Sequence, residues 1–204
     1  MKPQMQHRVT RLQTPYAPRL HTMHTDSKLF TPARRSRTAS YPGAAQARLS
    51  TPLGPMTALA TDLGLAGLWF DGQKHHPGPL RVPEDPQHPM LKATARWLHA
   101  YWARAPDGGP APALDLSSGT PFQRAVWAAL MSIPPGATST YAVVAAAAGS
   151  PAAVRAAGAA IGRNPVSLVV PCHRVLGGGG ALTGYAGGLE RKHALLAHEG
   201  AIAA

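Results

Sequence analysis

The sequence predicts an α+β protein with an N-terminal α/β part over 48–112 and a mostly helical C-terminal part over 113–204. Short strand-like runs and one amphipathic helix come first, whereas segments of helical spacing dominate after Thr120. Between them, 105–112 contains three prolines and two glycines, a composition typical of a linker. The division into two structured domains rests on these observations.

The composition is that of a chain with a substantial core. Of the 204 residues, 45% are hydrophobic. No stretch approaches the roughly 18–20 apolar residues of a membrane span, and the N-terminus lacks the apolar block of a secretory signal. We therefore expect a soluble protein of the cytoplasm. A single cysteine excludes a disulfide framework and any zinc site that needs several thiolates.

The net charge of +11 is concentrated at the N-terminus, where the first 50 residues hold nine Lys/Arg and one acid. This segment is rich in Pro, Thr, Ser and Gln without a sustained period, so we expect residues 1–47 to be a disordered basic extension. It could hold nucleic acid loosely through phosphates, act as an Arg-rich targeting leader, or be dispensable. We favour the last interpretation.

In the N-terminal part, order is expected to begin near residue 47. Met56–Ala60 and Leu65–Phe70 are strand-like runs on either side of a turn-forming Thr-Asp-Leu-Gly, which predicts a hairpin. Met90–Arg104 has apolar residues at helical spacing and predicts an amphipathic helix packed on the sheet. Leu114–Leu116 predicts one more short strand.

The first helix of the C-terminal part has strong start and stop signals. Thr120 is a capping residue, Pro121 suits the first helical position, and Gln123 can bond back to the cap. An apolar stripe follows, and the Pro-Pro-Gly at 134–136 ends the helix.

A helix-turn-helix pattern follows. A second helix is predicted over Tyr141–Ala148 and stops at Gly149, and Ser150-Pro151 is predicted to cap a third over Ala152–Ile161. Two short helices joined by a tight turn are typical of DNA-binding proteins, although such pairs are also common in other helical cores.

Arg155 strengthens the DNA-binding interpretation. It is the only charged residue between Arg124 and Arg163, in a helix otherwise made of small and apolar residues. Small side chains would let the helix backbone approach a partner closely, with one long cation projecting from it. The alternative is a mostly buried Ala-rich helix with one solvated arginine.

Cys172 is the candidate functional residue. It follows the apolar run Val166–Val170, which predicts a buried strand ended by Pro171. A lone cysteine can be an inert core residue, a metal ligand or a nucleophile. The next residue, His173, places a proton acceptor near the sulfur and favours the nucleophile.

Glycine-rich segments follow the cysteine at 177–180 and 184–188. Their spacings do not match those of phosphate-binding loops, so we expect them to frame a pocket with Tyr185 held between them. Leu189–His198 predicts a final helix, with Glu199 at its C-terminal end.

Several motifs occur together in register from about Thr120 to Gly200. They are the capped start Thr120–Gln123, the helix pair with Arg155, Asn164-Pro165, Pro171–Val175, Gly184–Gly188 and His198–Gly200. Together they resemble the methylated-DNA protein-cysteine methyltransferases. Residues 48–116 resemble the more variable N-terminal domain of that family, and the first 47 residues match nothing in it.

The resemblance implies a ribonuclease-H-like N-terminal domain and a winged helix-turn-helix-like C-terminal domain that binds DNA and carries the active site. It implies repair of guanine alkylated at O6, and of thymine alkylated at O4, by irreversible transfer of the alkyl group to Cys172. The implied partner is double-stranded DNA containing such a lesion, and we expect a monomer. No cofactor is implied. No metal site is transferred either, because the cysteines that bind zinc in some family members are missing here.

The resemblance also assigns catalytic roles. In this family a water and the histidine after the cysteine relay a proton to a glutamate, a chain that falls on Cys172, His173 and Glu199. Asn164 would brace the turn beneath the active site. Tyr185 would donate a proton to the purine ring as guanine leaves.

The implied DNA-binding residues lie on or near the helix pair. Arg155 would enter the base stack in place of the flipped nucleotide, and Tyr141 would crowd its phosphate. The backbone N–H of Ala186 would bond the O6 atom, and Ile161 and Arg163 complete the expected DNA contacts.

Two other classes remain open at this point. A non-catalytic DNA-lesion binder of the same fold is one, although such relatives lack the nucleophile. A Cys-His hydrolase is the other, although adjacent Cys and His residues are not the usual dyad and no oxyanion-hole signature is evident.

Overall fold

The computed structural model describes residues 44–105 and 109–203, so most of the predicted basic extension lies outside the described residues. An antiparallel sheet forms first, from β1 (Ala45–Leu49), β2 (Met56–Thr61) and β3 (Gly64–Phe70), in chain order. The predicted hairpin is therefore present. β1 begins three residues before the predicted boundary at 48, because its buried positions are alanines, which carry little strand signal.

The chain beyond the linker returns to this sheet beside β3. Leu65 N donates to Ala113 O at 2.8 Å, and a parallel bridge pairs Leu65 with Leu114. A Cβ at Gly64, which has φ +153°, would lie 2.6 Å from Ala113 O, so this crossing requires glycine. In place of the strand predicted at Leu114–Leu116, the structure has a single β-bridge at Leu114.

α1 (Pro89–Trp102) packs against the three strands. Leu91 and Leu98 lie two turns apart on the same face of this helix, and both are buried in the hydrophobic core. The His88 side chain accepts a hydrogen bond from Met90 N at 3.3 Å and caps the start. The helix predicted over 90–104 is confirmed, with its end two residues earlier.

The C-terminal part is mostly helical. It contains α2 (Pro121–Met131), α3 (Tyr141–Ala147) and α4 (Val154–Gly162). The predicted capping box forms, because the side chains of Thr120 and Gln123 each accept a bond from the other's backbone N–H. Trp127 Nε1 on α2 donates to Ala160 O at 2.9 Å and fixes α4 against α2.

The turn between α3 and α4 differs from the prediction. α4 begins at Val154 rather than Ala152, and its N-cap, Ala153, makes no side-chain capping bond. The Ser150 carbonyl instead accepts from Ala153 N at 2.9 Å. The Ser150-Pro151 pair therefore forms a turn before the helix and does not cap it.

The prediction of a buried strand over Val166–Val170 was wrong. Only Val166 pairs with the sheet, opposite Leu68, and the remainder is a turn closed by Val170 N donating to Val166 O at 3.0 Å. Leu168 has φ +68°, uncommon for a residue with a side chain, and is 1% exposed. An apolar run shows burial but cannot by itself distinguish a strand from a buried turn.

The remaining elements close the C-terminal part. β4 (Ser139–Thr140) pairs in parallel with β5 (Val175–Leu176). α5 (Leu189–His198) has the predicted bounds, and Leu195 and Leu196 are fully buried. Among the residues that the structure describes, no helix is both long enough and apolar enough to cross a membrane.

Candidate active site

Asn164 holds the turn that presents Cys172. Its Nδ2 donates to Val170 O at 2.7 Å and to Cys172 Sγ at 3.1 Å, and its Oδ1 accepts from Val166 N at 3.0 Å. Cys172 opens a short 3₁₀ turn, Cys172–Arg174, and is 4% exposed. Burial raises the pKa of the Cys172 thiol, and the bond from Asn164 only partly offsets it. The resting thiol is therefore protonated and needs a base.

His173, the residue expected to act as the base, follows Cys172 and is completely buried. Its Nε2 lies 2.9 Å from Glu199 Oε1. Burial lowers the pKa of His173 despite the opposing effect of Glu199, so the resting imidazole is neutral. Because a carboxylate only accepts, Nε2 carries the hydrogen and Nδ1 is the basic nitrogen. Nδ1 has no hydrogen-bond partner among the described residues.

Glu199 is an anion held by several donors. Arg174 donates to both of its oxygens, each at 2.8 Å, and Tyr101 Oη donates to Oε1 at 2.8 Å. Burial would raise the pKa of Glu199, but the bonds from His173 and Arg174 outweigh it and hold the pKa well below its usual range. The carboxylate therefore stays charged while His173 changes its protonation state.

Lys192 carries a positive charge that acts on the Cys172 sulfur. Its completely buried ammonium donates to Val175 O and to Thr183 O, the latter at 2.6 Å, and so ties the glycine-rich segment to β5. Burial lowers the pKa of Lys192 to about 8. Its charge lowers the pKa of Cys172 and partly counters burial.

Three residues of this arrangement were missed in the sequence. Arg174 lies within Pro171–Val175. A charged residue in such an apolar segment indicates a buried ion pair and could have been recognised in the sequence. Lys192 lies at an inward position of α5, which is a weaker signal. Tyr101 is 98 positions from Glu199, and nothing in the sequence pattern connects them.

A cavity of about 370 Å³ opens between α4 and the segment 184–186. The Tyr185 hydroxyl is buried without a hydrogen-bond partner among the described residues. Burial, followed by the charge of Cys172, raises the pKa of Tyr185 well above its usual value, so the hydroxyl remains a donor close to the sulfur. Ala186, whose carbonyl accepts from Lys74 N at 2.9 Å, lies beside it.

The outer face of α4 matches its predicted character. Arg155, Ala156 and Ala159 are exposed, and Gly158 between them is partly buried. The opposite face packs into the core. The helix thus presents small side chains and one cation to solvent, and the alternative of a mostly buried helix applies only to its inner face.

The other residues expected to bind DNA lie around the cavity mouth. Tyr141 Oη donates to the carbonyl oxygen of Thr183 or Gly184, each 3.3 Å away. Arg163 is exposed and lines the cavity. Ile161 is 3% exposed, so its side chain belongs to the cavity wall and the core rather than to the outer face.

Fold and site together define a class of protein. The helix-turn-helix pair borders a cavity that is also lined by Tyr185. The Tyr185 ring centroid lies 6.4 Å from that of His173, which follows the buried Cys172 and contacts the Glu199 carboxylate. A helix-turn-helix pair is typical of DNA-binding proteins, and a cysteine next to a histidine that is oriented by a carboxylate is an arrangement typical of nucleophilic sites.

Comparison with known proteins is consistent with this class. A family model described as "6-O-methylguanine DNA methyltransferase, DNA binding domain" matches residues 121–201. The methylated-DNA–protein-cysteine methyltransferase of Mycolicibacterium paratuberculosis is 40% identical over 154 residues, 74% of this chain and 89% of that protein. That of Salmonella typhimurium is 61% identical over 84 residues, 41% of this chain; this match spans about half of the relative's length, 49%.

Solved structures show the same likeness. The Mycobacterium tuberculosis O6-methylguanine methyltransferase matches with a TM-score of 0.67 and 38% identity, covering 79% of this chain and 95% of that one. The Mycobacterium tuberculosis OGT in complex with DNA matches with a TM-score of 0.66 and 38% identity, covering 77% and 92%. The chain belongs to the methylated-DNA–protein-cysteine methyltransferase family, and the predicted resemblance and α+β class are confirmed.

Proposed function

We propose that this protein repairs alkylated DNA by moving the methyl group of O6-methylguanine, and of O4-methylthymine, irreversibly to Cys172. The observation that carries the proposal is the hydrogen-bonded arrangement around the sulfur. Asn164 donates to Sγ, and the neighbouring His173 is backed by the Glu199 anion. Such an arrangement is suited to producing a thiolate, which is the form of cysteine that attacks carbon.

Activation begins with the transfer of the thiol proton to Nδ1 of His173, through a water as in the family. The imidazolium that forms is stabilised by Glu199, and the thiolate by Asn164 and Lys192. Since Glu199 has a pKa far below that of an imidazole, the proton stops at His173. We therefore propose that Glu199 acts by its negative charge and does not itself take up the proton at the end of the expected relay.

In the transfer step, a sulfur–carbon bond forms as the bond between O6 and the methyl carbon breaks. The electron pair of the broken bond remains on guanine, and Tyr185 offsets this charge by donating its hydroxyl proton to the purine ring. The proton that His173 took from the thiol then restores the Tyr185 hydroxyl, whose ring centroid lies 6.4 Å from that of His173, so that overall the thiol proton passes to guanine. The Ala186 N–H would bond O6. The thioether that forms on Cys172 has no group that leaves easily, so each protein molecule acts once. Because the methyl group comes from the damaged base, the proposed reaction uses no cofactor.

The substrate is a base within a duplex, which must leave the stack to enter the cavity. Arg155 is exposed on α4, from which it would fill the vacated position, and Tyr141 borders the cavity that would receive the base. The small residues of α4 suit an approach to the minor groove. We propose that the protein acts as a monomer in the cytoplasm, on nucleoid DNA if it is bacterial.

The fate of the methyl group tests this proposal. Duplex DNA with radiolabelled O6-methylguanine is incubated with the full chain, and we expect the label on the protein. Label that remains in bound DNA would indicate a non-catalytic lesion binder. Label that reaches the solvent over many turnovers would indicate a hydrolase.

Arg155→Ala is expected to slow repair in duplex DNA by about 10- to 100-fold, because the cost of unstacking a base is then less well offset. Reaction with free O6-benzylguanine, which needs no flipping, should be nearly unchanged. Single-turnover rates with both substrates measure this. Arg96→Ala removes an exposed arginine of α1 and is the matched control. Equal losses with both substrates would contradict the flipping role.

Tyr185→Phe is expected to lower the transfer rate by about 100-fold, because the leaving guanine loses a preorganised donor. Stability should change little, since among the residues that the structure describes the hydroxyl has no hydrogen-bond partner to lose. Single-turnover kinetics and thermal unfolding measure the two effects. A rate close to that of the unaltered protein would remove Tyr185 from the mechanism.

A further inference from the structure

The C-terminal end of α1 contacts the catalytic segment at several points. Tyr101 Oη donates to Glu199 Oε1 at 2.8 Å, and the Tyr101 carbonyl accepts from His198 Nε2 at 3.0 Å. Arg104 Nη2 approaches Ala197 O at 3.5 Å. One residue of the N-terminal part thus binds both the catalytic carboxylate and the residue before it.

The tyrosine and the catalytic histidine share one acceptor atom. Glu199 Oε1 accepts from Tyr101 Oη at 2.8 Å, from His173 Nε2 at 2.9 Å and from Arg174 Nη2 at 2.8 Å. A carboxylate oxygen has a limited capacity as an acceptor, so each donor to Oε1 leaves less of its negative charge for the other two. The Tyr101 hydroxyl is the only uncharged, non-titrating donor among these three.

The Tyr101 ring is itself firmly placed. Trp97 stacks on it with centroids 5.5 Å apart, and Trp102 packs edge-on at 5.1 Å. The His198 ring lies 5.2 Å away. A second cavity, of about 500 Å³, is lined by Tyr101 and Glu199 together. On the side of the carboxylate that borders this cavity, the hydroxyl therefore adds a further donor to those of Arg174 and His173 and narrows the orientations open to Glu199.

We propose that Tyr101 is a positioning residue for alkyl transfer, which orients the Glu199 carboxylate and limits how strongly it holds the His173 imidazole. Tyr101 does not line the cavity beside α4 and acts only through Glu199. The inference rests on the proposed function, because it concerns the base that activates Cys172.

The sign of the expected pH effect follows from the charges around His173. The ionisable groups that face His173 and Glu199 are Cys172, Arg174, Tyr185, Lys192, His198, Tyr101 and Arg104. Burial lowers the pKa of His173 and the Glu199 charge opposes this. Without the Tyr101 hydroxyl, less of the negative charge on Oε1 is neutralised by hydrogen bonds. Oε1 then stabilises the protonated form of His173 more strongly, and the pKa of His173 rises. Burial, followed by Glu199, raises the pKa of Tyr101 so far that it stays protonated.

A histidine that is already protonated cannot accept the thiol proton. The rate of methyl transfer therefore falls on the acid side as His173 becomes protonated, and a raised pKa moves this acid limb to higher pH. Tyr101→Phe is expected to shift the limb upward by about half a pH unit. We also expect a plateau rate about 3- to 10-fold lower, because the carboxylate is less well oriented.

The test measures single-turnover transfer from labelled O6-methylguanine duplex across pH for the full chain, Tyr101→Phe and Trp97→Phe. The last variant changes packing on the same ring but keeps every donor to Glu199. Thermal unfolding of both variants shows whether packing has been altered to a similar extent. We expect the acid limb to move in Tyr101→Phe alone.

The outcomes separate the two proposals. If the unaltered chain transfers no label, the proposed function fails and so does this inference. If it transfers label but Tyr101→Phe keeps the same acid limb, or Trp97→Phe shifts it equally, only the role of Tyr101 is overturned.

Discussion

Cys172→Ser is expected to abolish methyl transfer completely while DNA binding is retained. A serine hydroxyl is far less acidic than a thiol, and its oxygen is a much poorer nucleophile towards a methyl carbon. The fold should survive, because serine is close to cysteine in size and Asn164 Nδ2 can donate to its oxygen as it does to Sγ.

Two measurements check this result. Transfer of label from O6-methylguanine duplex should be undetectable in the variant, and its affinity for the same duplex in a gel-shift titration should match that of the unaltered protein. Labelled Cys172→Ser protein would mean that another residue accepts the methyl group. Loss of DNA binding would mean that the substitution disturbs the fold, and Cys172→Ala then provides the test.

Glu199→Gln is expected to lower the transfer rate by about 1,000-fold or more, because an amide cannot stabilise the His173 imidazolium by charge. It also leaves the Arg174 guanidinium buried without a counter-charge. Removing one member of a buried ion pair costs about 3–5 kcal/mol of unfolding free energy. Single-turnover kinetics and chemical denaturation measure the two losses.

Controls separate chemistry from stability in this prediction. Glu190→Gln removes an exposed carboxylate at the start of α5 and should change neither quantity. Glu199→Asp keeps the charge and should recover stability better than rate, because the shorter side chain displaces the carboxylate from His173. A Glu199→Gln protein with an unchanged rate would contradict the role given to the carboxylate.

The ion pair at Glu199 also predicts how stability depends on pH. The pKa of Glu199 is lower in the folded protein than the unfolded value of about 4.3. Its contribution is therefore complete above the unfolded pKa and is lost as pH falls towards the folded one. Acid denaturation of the unaltered protein should show this loss, and Glu199→Gln should lack it.

The elements that could be predicted from the sequence are those fixed by local chemistry. α2 follows from a capping residue, a proline and a returning glutamine within four positions, and α5 from its spacing and the glycine after it. The buried turn over Val166–Val170 could not be found in this way, because its conformation depends on the Asn164 side chain and on pairing with β3.

In the candidate site, too, residues within local motifs could be predicted, whereas contacts between distant segments could not. The family resemblance leads us to expect Cys172, His173 and Glu199 together, and in the structure His173 Nε2 lies 2.9 Å from Glu199 Oε1. The Tyr101 contact could not be predicted, since it depends on how α1 packs against the end of α5. Nor does a motif show the charge balance that keeps Glu199 ionised, which requires the positions of Arg174 and its partners.

The most direct test of the central claim is the site and stoichiometry of methylation. The protein is incubated with excess duplex containing O6-methylguanine, digested and examined by mass spectrometry. We predict one added methyl group per molecule, located on the peptide that contains Cys172, and one lesion repaired for each protein molecule. A methyl group at any other residue, or many lesions repaired by one molecule, would contradict this account.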